Sequence, residues 1–88
     1  MEEATVKVLF FAQAKELVGS SERILKLPSE FNETTTDSLK KYIIKKFPEL
    51  SNIANGFVLA VNSSYCQGDI IKIDSHTEIA IIPPLSGG

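Results

Sequence analysis

One stretch of this chain carries a helical apolar stripe long enough to form a face of a core. Leu39, Ile43 and Phe47 recur at i, i+4 and i+8 with Tyr42 one position to the side, while Lys40, Lys41, Lys45 and Lys46 fill the rest. Thr35 or Thr36 is the expected N-cap, Asp37 sits in the first turn where the helix dipole favours a carboxylate, and Pro48 ends the helix. Every other apolar run is short, β-branched or aromatic. One helix among several strands restricts the architecture to a small mixed sheet with that helix on one face, an α+β fold. The lysines are expected to be its solvated side.

The strands follow from composition and punctuation. Residues 6–11, Val-Lys-Val-Leu-Phe-Phe, are nearly continuous in apolarity, which predicts a central strand covered on most of both faces. Residues 12–18 favour a short helix, with Gly19 placed to cap it in the left-handed region. Residues 21–27 alternate, with Ile24 on one side and Arg23, Leu25 and Leu27 on the other, predicting a strand antiparallel to the first. From Pro28 to Thr34 the chain reads as a loop. After the main helix, Leu50 and Ile53 are expected to anchor one turn. Strands are predicted at 57–61, at 70–73 and at 78–83, with a brief extended piece at Tyr65-Cys66. Asn62-Ser63 and Gln67-Gly68-Asp69 supply turns, and Asp74-Ser75-His76-Thr77 supplies another.

The last strand runs into Pro83-Pro84-Leu85-Ser86-Gly87-Gly88. A double proline donates no ladder hydrogen bonds and forces extended backbone before it, so the chain is expected to leave the sheet as a stiff arm. Residues 1–84 then form the domain and 85–88 a flexible tail. Gly87 and Gly88 put the terminal carboxylate on backbone without side chains. Residues 85–88 reach at most about 13–14 Å, enough to enter a narrow pocket of another protein. A carboxylate on so thin a probe can serve as a chemical handle, with Leu85 as its apolar grip.

Other chemistry is poorly represented. The chain has 88 residues, one domain's worth, which leaves no room for a deep cleft. Nine Lys plus Arg against eleven Asp plus Glu give a net charge of -2, which argues against a nucleic-acid partner. The acidic Met1-Glu2-Glu3 start and the lack of a membrane-length apolar run point to a cytosolic protein with no membrane partner. Sequons at Asn32 and Asn62 are then chance matches. Cys66 is the single cysteine, which precludes an internal disulfide or a cysteine zinc cluster, and no flanking cation activates it. His76 has no nearby nucleophile and reads as a turn residue. No glycine loop of phosphate-binding spacing occurs. The terminal carboxylate is what remains, and it is inert until another enzyme activates it.

Lys7-Val8-Leu9-Phe10-Phe11-Ala12-Gln13 with Glu16-Leu17-Val18-Gly19, and residues 78–88 with their Pro-Pro and Gly-Gly, resemble the small, sulfur-carrier subunits of molybdopterin synthase. Val61-Asn62 and Gly68-Asp69 match further landmarks, so the resemblance spans the chain. Residues 74–77 depart from it, since relatives often place a glycine-containing turn there. The resemblance implies a ubiquitin-like β-grasp fold and a cycle at Gly88. An adenylyl- and sulfurtransferase similar to ubiquitin-activating enzymes would use ATP to adenylate the carboxylate and convert it to a thiocarboxylate. Leu85, Ser86 and Gly87 would thread Gly88 into the large synthase subunit, in a heterotetramer whose catalytic residues lie on that subunit. Sulfur would pass to cyclic pyranopterin monophosphate to form molybdopterin. The carrier itself would hold neither cofactor nor metal. Three other readings fit a Gly-Gly terminus: a ubiquitin-like modifier joined to lysines, a sulfur carrier of thiamine synthesis, or a non-reactive ubiquitin-like interaction domain. The Pro-Pro spacer favours the molybdopterin branch.

Overall fold

The computed structural model describes residues 3–53, 56–62, 64–66 and 70–83, with 64–66 described by backbone alone. The first strand, β1, is Ala4–Phe10, and burial alternates along it: Ala4, Val6, Val8 and Phe10 are buried while Thr5 and Lys7 are exposed. It is central, as expected, but only one face is covered. Parallel pairing to the last strand makes it central, and that pairing places no layer over the side bearing Thr5, Lys7 and Leu9.

Helix α1, Ala12–Val18, ends as its composition predicts. Gly19 adopts φ 85° and ψ 14°, and its N–H donates to the Lys15 carbonyl at 2.8 Å. A Cβ at Gly19 would meet nothing within 4 Å, so glycine is required there by conformation and not by space. Strand β2, Glu22–Leu27, pairs antiparallel with β1 from Ala4↔Leu27 to Leu9↔Glu22 and sends Leu25 and Leu27 into the core.

Residues 28–34 are not the plain loop the sequence suggests. Ser29–Phe31 form a 3-10 turn, and β3, Glu33–Thr35, pairs antiparallel with β6, Ile70–Lys72, as a second two-stranded sheet. The Ile73 N–H donates to the Asn32 carbonyl at 2.9 Å, which continues that ladder. Glu-Thr-Thr shows no apolar alternation, and its strand character comes from a partner almost forty residues away.

Helix α2, Thr36–Lys46, is capped by Thr35, whose Oγ1 accepts from the Ser38 N–H at 3.2 Å. Leu39 and Ile43 are fully buried, and Phe47 meets Phe10 edge to face with centroids 5.2 Å apart. Tyr42 is half-buried, stacking on Phe31 at 4.7 Å. Two of the lysines do more than face solvent: Lys40 Nζ lies 4.9 Å over the Phe57 ring and Lys46 Nζ 5.5 Å over Tyr42. The 3-10 segment Pro48–Ile53 then buries Leu50 and Ile53, the expected anchors.

Strands β4 (Val58–Val61), β5 (Ser64–Cys66) and β7 (Glu78–Ile82) complete a five-stranded sheet of order β2-β1-β7-β4-β5. Among the described residues only the β1–β7 pair is parallel, so the sheet is mixed, and Leu59, Ile79 and Ile81 join Leu39 and Ile43 of α2 in one buried core. The turn at residues 74–77 closes without glycine. Asp74 N–H donates to Thr77 Oγ1 at 2.9 Å, and His76 N–H donates to Asp74 Oδ1 at 2.8 Å. Thr77, only 3% exposed, thus replaces a glycine turn by an Asp–Thr side-chain clasp. The expected turn at 67–69 lies outside the described residues.

Candidate functional site

The expected reactive group, Gly88, and its approach through Leu85, Ser86 and Gly87 lie outside the described residues, as does Pro84. The structure does place the root from which they leave. That root is the C-terminal end of β7, a strand hydrogen-bonded on both sides: Ile81 pairs with Phe10 on β1 and with Leu59 on β4, and Ile82 pairs with Val58. Phe11 N–H adds a bond to the Ile81 carbonyl at 3.3 Å. A strand held from both sides is the stiffest mount the sheet offers. Pro83 then ends the pairing, as the composition of the segment requires.

The other end of β7 is fixed by Asn62. At φ 51° it turns the chain out of β4, its N–H donates to the Glu78 carbonyl at 2.8 Å, and its Oδ1 accepts from the Glu78 N–H at 2.9 Å. Asparagine is suited to both tasks, since it tolerates the left-handed region and carries its own acceptor. The Val61-Asn62 motif therefore belongs to the mounting of β7. Sequence reasoning noted the motif without that role; a lone Asn directly after an apolar strand was the available signal.

Around the root the sheet's uncovered face is apolar. Register places Leu9, Ala80 and Ala60 in one row across β1, β7 and β4, and Ile82 beside Val58 in the next row toward the root. Leu9, Val58, Ala80 and Ile82 are half-buried, no helix among the described residues lies over them, and Phe11 is 48% exposed nearby. A groove of about 400 Å³, lined by Leu9, Phe11, Ala12, Lys15 and Glu22, adjoins the patch. Apolar side chains gathered on an open face beside the end of β7 suit a docking surface. Unbroken apolarity in residues 57–61 and 79–82 was its signal, because a strand with one wet face would alternate.

The remaining candidates gather no chemistry. His76 is exposed in the 74–77 turn, and the side chain of Cys66 is outside the description, its backbone pairing with Leu59 in β4. Among the described residues no three His, Cys, Asp or Glu side chains come together as a metal site, and no helix is long and apolar enough to cross a membrane.

Known proteins bear on this geometry. Residues 8–88 match the ThiS family. The chain is 45% identical over 85 residues to the molybdopterin synthase sulfur carrier subunit of Caenorhabditis briggsae, covering 96% of this chain and 98% of that one. It is 41% identical to the subunit of that name in Arabidopsis thaliana, covering 94% and 82%. Among solved structures it resembles the small archaeal modifier protein 1 of Methanosarcina acetivorans, with TM-score 0.72, 22% identity and full coverage of both chains. It also resembles a chain in the complex of subunits 1 and 2 of the Helicobacter pylori molybdopterin-converting factor, with TM-score 0.65, 19% identity and coverage of 96% and 99%. At such identities the two structures establish the ubiquitin-like β-grasp fold.

Proposed function

Because this chain belongs to the ThiS family, and within it to the molybdopterin synthase sulfur carrier subunits, we propose that it carries sulfur as a thiocarboxylate on Gly88. Relatives that match along almost the whole chain support this reading most strongly. The mounting of β7 agrees with it: a tail fixed to a strand held from both sides delivers its end to a repeatable place.

In the proposed cycle the Gly88 carboxylate attacks the α-phosphorus of ATP on a separate activating enzyme, and pyrophosphate leaves. The acyl-adenylate has a good leaving group, so sulfide attacks its carbonyl carbon, AMP leaves with the acyl C–O bond broken, and the thiocarboxylate remains. ATP belongs to that enzyme, and this chain binds no cofactor. The loaded tail enters the large subunit of molybdopterin synthase, with Leu85 gripping and Gly87 passing the narrowest point, and the sulfur is transferred to cyclic pyranopterin monophosphate. The catalytic side chains are the large subunit's. The open apolar face, Leu9, Val58, Ala80 and Ile82 with Phe11, is the surface that docks there, in a heterotetramer in the cytosol.

The test is the intact mass of the chain after incubation with its activating enzyme, ATP and a sulfur donor. A terminal oxygen replaced by sulfur is expected, followed by its loss on adding large subunit and pterin substrate. A chain that instead appears joined to lysines of other proteins, and takes up no sulfur, would make it a modifier.

A further inference from the structure

Strand β2 is an outer edge of the sheet. The Phe10 N–H donates to the Ser21 carbonyl at 2.9 Å, and the β1–β2 register steps outward from that pair, so hydrogen-bonded pairs fall at Arg23, Leu25 and Leu27. The backbone N–H and C=O groups of Glu22, Ile24 and Lys26 therefore point away from β1. The Tyr42 hydroxyl agrees with this direction, since it reaches the Lys26 carbonyl from the α2 side at 3.4 Å. Among the described residues it is the one partner of these outward groups.

Side chains on this edge have an unusual symmetry. Ile24 is 64% exposed, one of three large apolar residues exposed among the described ones. It is flanked at equal spacing by an acid, Glu22, and a base, Lys26, all on the sheet's uncovered face. We propose that β2 pairs antiparallel with β2 of a second copy of this chain about a two-fold axis through Ile24. In that register Ile24 lies opposite its own copy, Glu22 lies opposite the partner's Lys26 and Lys26 opposite the partner's Glu22. Every outward N–H then meets an outward carbonyl. On the opposite face Arg23 stands across from the partner's Leu25, where its aliphatic stem covers the rim of the core.

Charges on an edge strand ordinarily repel a second copy, which is how lysine-bearing edges avoid association. Here the two charges have opposite signs and are placed symmetrically about the axis, so antiparallel self-pairing brings unlike charges together. A parallel or shifted register brings like charges together or leaves them unmatched. Lys26 Nζ has an existing partner, Glu3 at 3.8 Å, but both are well exposed and that ion pair is weak enough to be exchanged. The Lys26 carbonyl has a second lone pair beyond the one facing Tyr42. In the sheet order β1 separates β2 from β7, so pairing leaves the root of the tail free and meets the apolar patch only at its margin, where Glu22 stands beside Leu9.

The contact is short, so association is expected at about 0.1–1 mM, the weak end of specific interfaces. Sedimentation equilibrium of the full chain up to about 1 mM is the test, and a monomer–dimer equilibrium weakened by salt is expected. Glu22→Lys alone should weaken dimerisation about tenfold or more, and Glu22→Lys with Lys26→Glu should return it to within about threefold of the parent. Ile24→Pro should abolish it while sparing the fold, because the lost N–H is one that faces away from β1. A chain that stays monomeric throughout this range overturns the proposal. So does an association that the paired charge reversal fails to restore, which would place the contact elsewhere.

Discussion

Asn62 and Leu39 show how differently single residues act in this fold. Asn62 is exposed yet holds φ 51° and accepts the Glu78 N–H through Oδ1. Asn62→Gly keeps the backbone freedom and removes only the acceptor, so its cost should be about 0.5–1.5 kcal/mol. Asn62→Val should cost more, because a β-branched residue adds strain in the left-handed region. Urea melts of the two variants check the order; equal midpoints would mean that φ at this position is not constrained. Leu39 is 0% exposed beneath the sheet, and Leu39→Ala should cost about 2–5 kcal/mol. In a domain of this size that is a large share of total stability, so activity should fall through unfolding. An unchanged midpoint would remove Leu39 from the core.

Elements were legible in the sequence to the extent that local chemistry sets them. The cap at Gly19, the Thr35 start of α2, its Leu39–Ile43–Phe47 stripe and the proline stop after β7 are decided by residues close in the chain, and each is found where expected. Strand β3 was not legible, because Glu33, Thr34 and Thr35 become a strand only through Lys72, Ile71 and Ile70. The uncovered side of β1 was misread for a related reason. Apolarity at Leu9 speaks of burial, and whether the cover is a layer of the same chain or another protein is not written in the segment. Pro83-Pro84 and Gly87-Gly88 suggested a carboxylate on a thin tail, and the cycle proposed for it came from resemblance to a family, whereas the patch beside its root needed the register of three strands. That patch belongs to the sheet, and Ala80→Arg tests it. Ala80 is half-exposed, so the fold should survive. A guanidinium between Leu9 and Ala60 should weaken binding of the large subunit about tenfold or more, since an unpaired charge buried at an interface is costly. Calorimetric titration would show it, and unchanged affinity would move the docking surface elsewhere.

For the whole molecule, the account separates a scaffold from a delivered group. The scaffold is a five-stranded sheet with α2 on one face, and its task is to hold β7 still. In the proposed cycle the delivered group is at Gly88, and no side chain of this protein takes part in its chemistry. Cys66→Ser should accordingly leave sulfur transfer intact, as single-turnover assays with large subunit would show; a folded variant unable to deliver sulfur would indicate a relay through Cys66. Gly87→Val should leave the melting temperature almost unchanged and sharply reduce both adenylation and sulfur delivery, because a β-branched side chain widens and stiffens the probe.

Removing Gly88 addresses the central claim most directly. The terminal carboxyl then retreats by about 3.3–3.6 Å, several times the displacement of about 1 Å that can already cost a hundredfold in rate. The measurement is thiocarboxylate formation by the shortened chain with activating enzyme, ATP and a sulfur donor, followed by pterin sulfuration with the large subunit. The account predicts a folded chain that still binds the large subunit through its open face, competes with the intact carrier and delivers almost no sulfur. Near-normal sulfur delivery by the chain ending at Gly87 would contradict it.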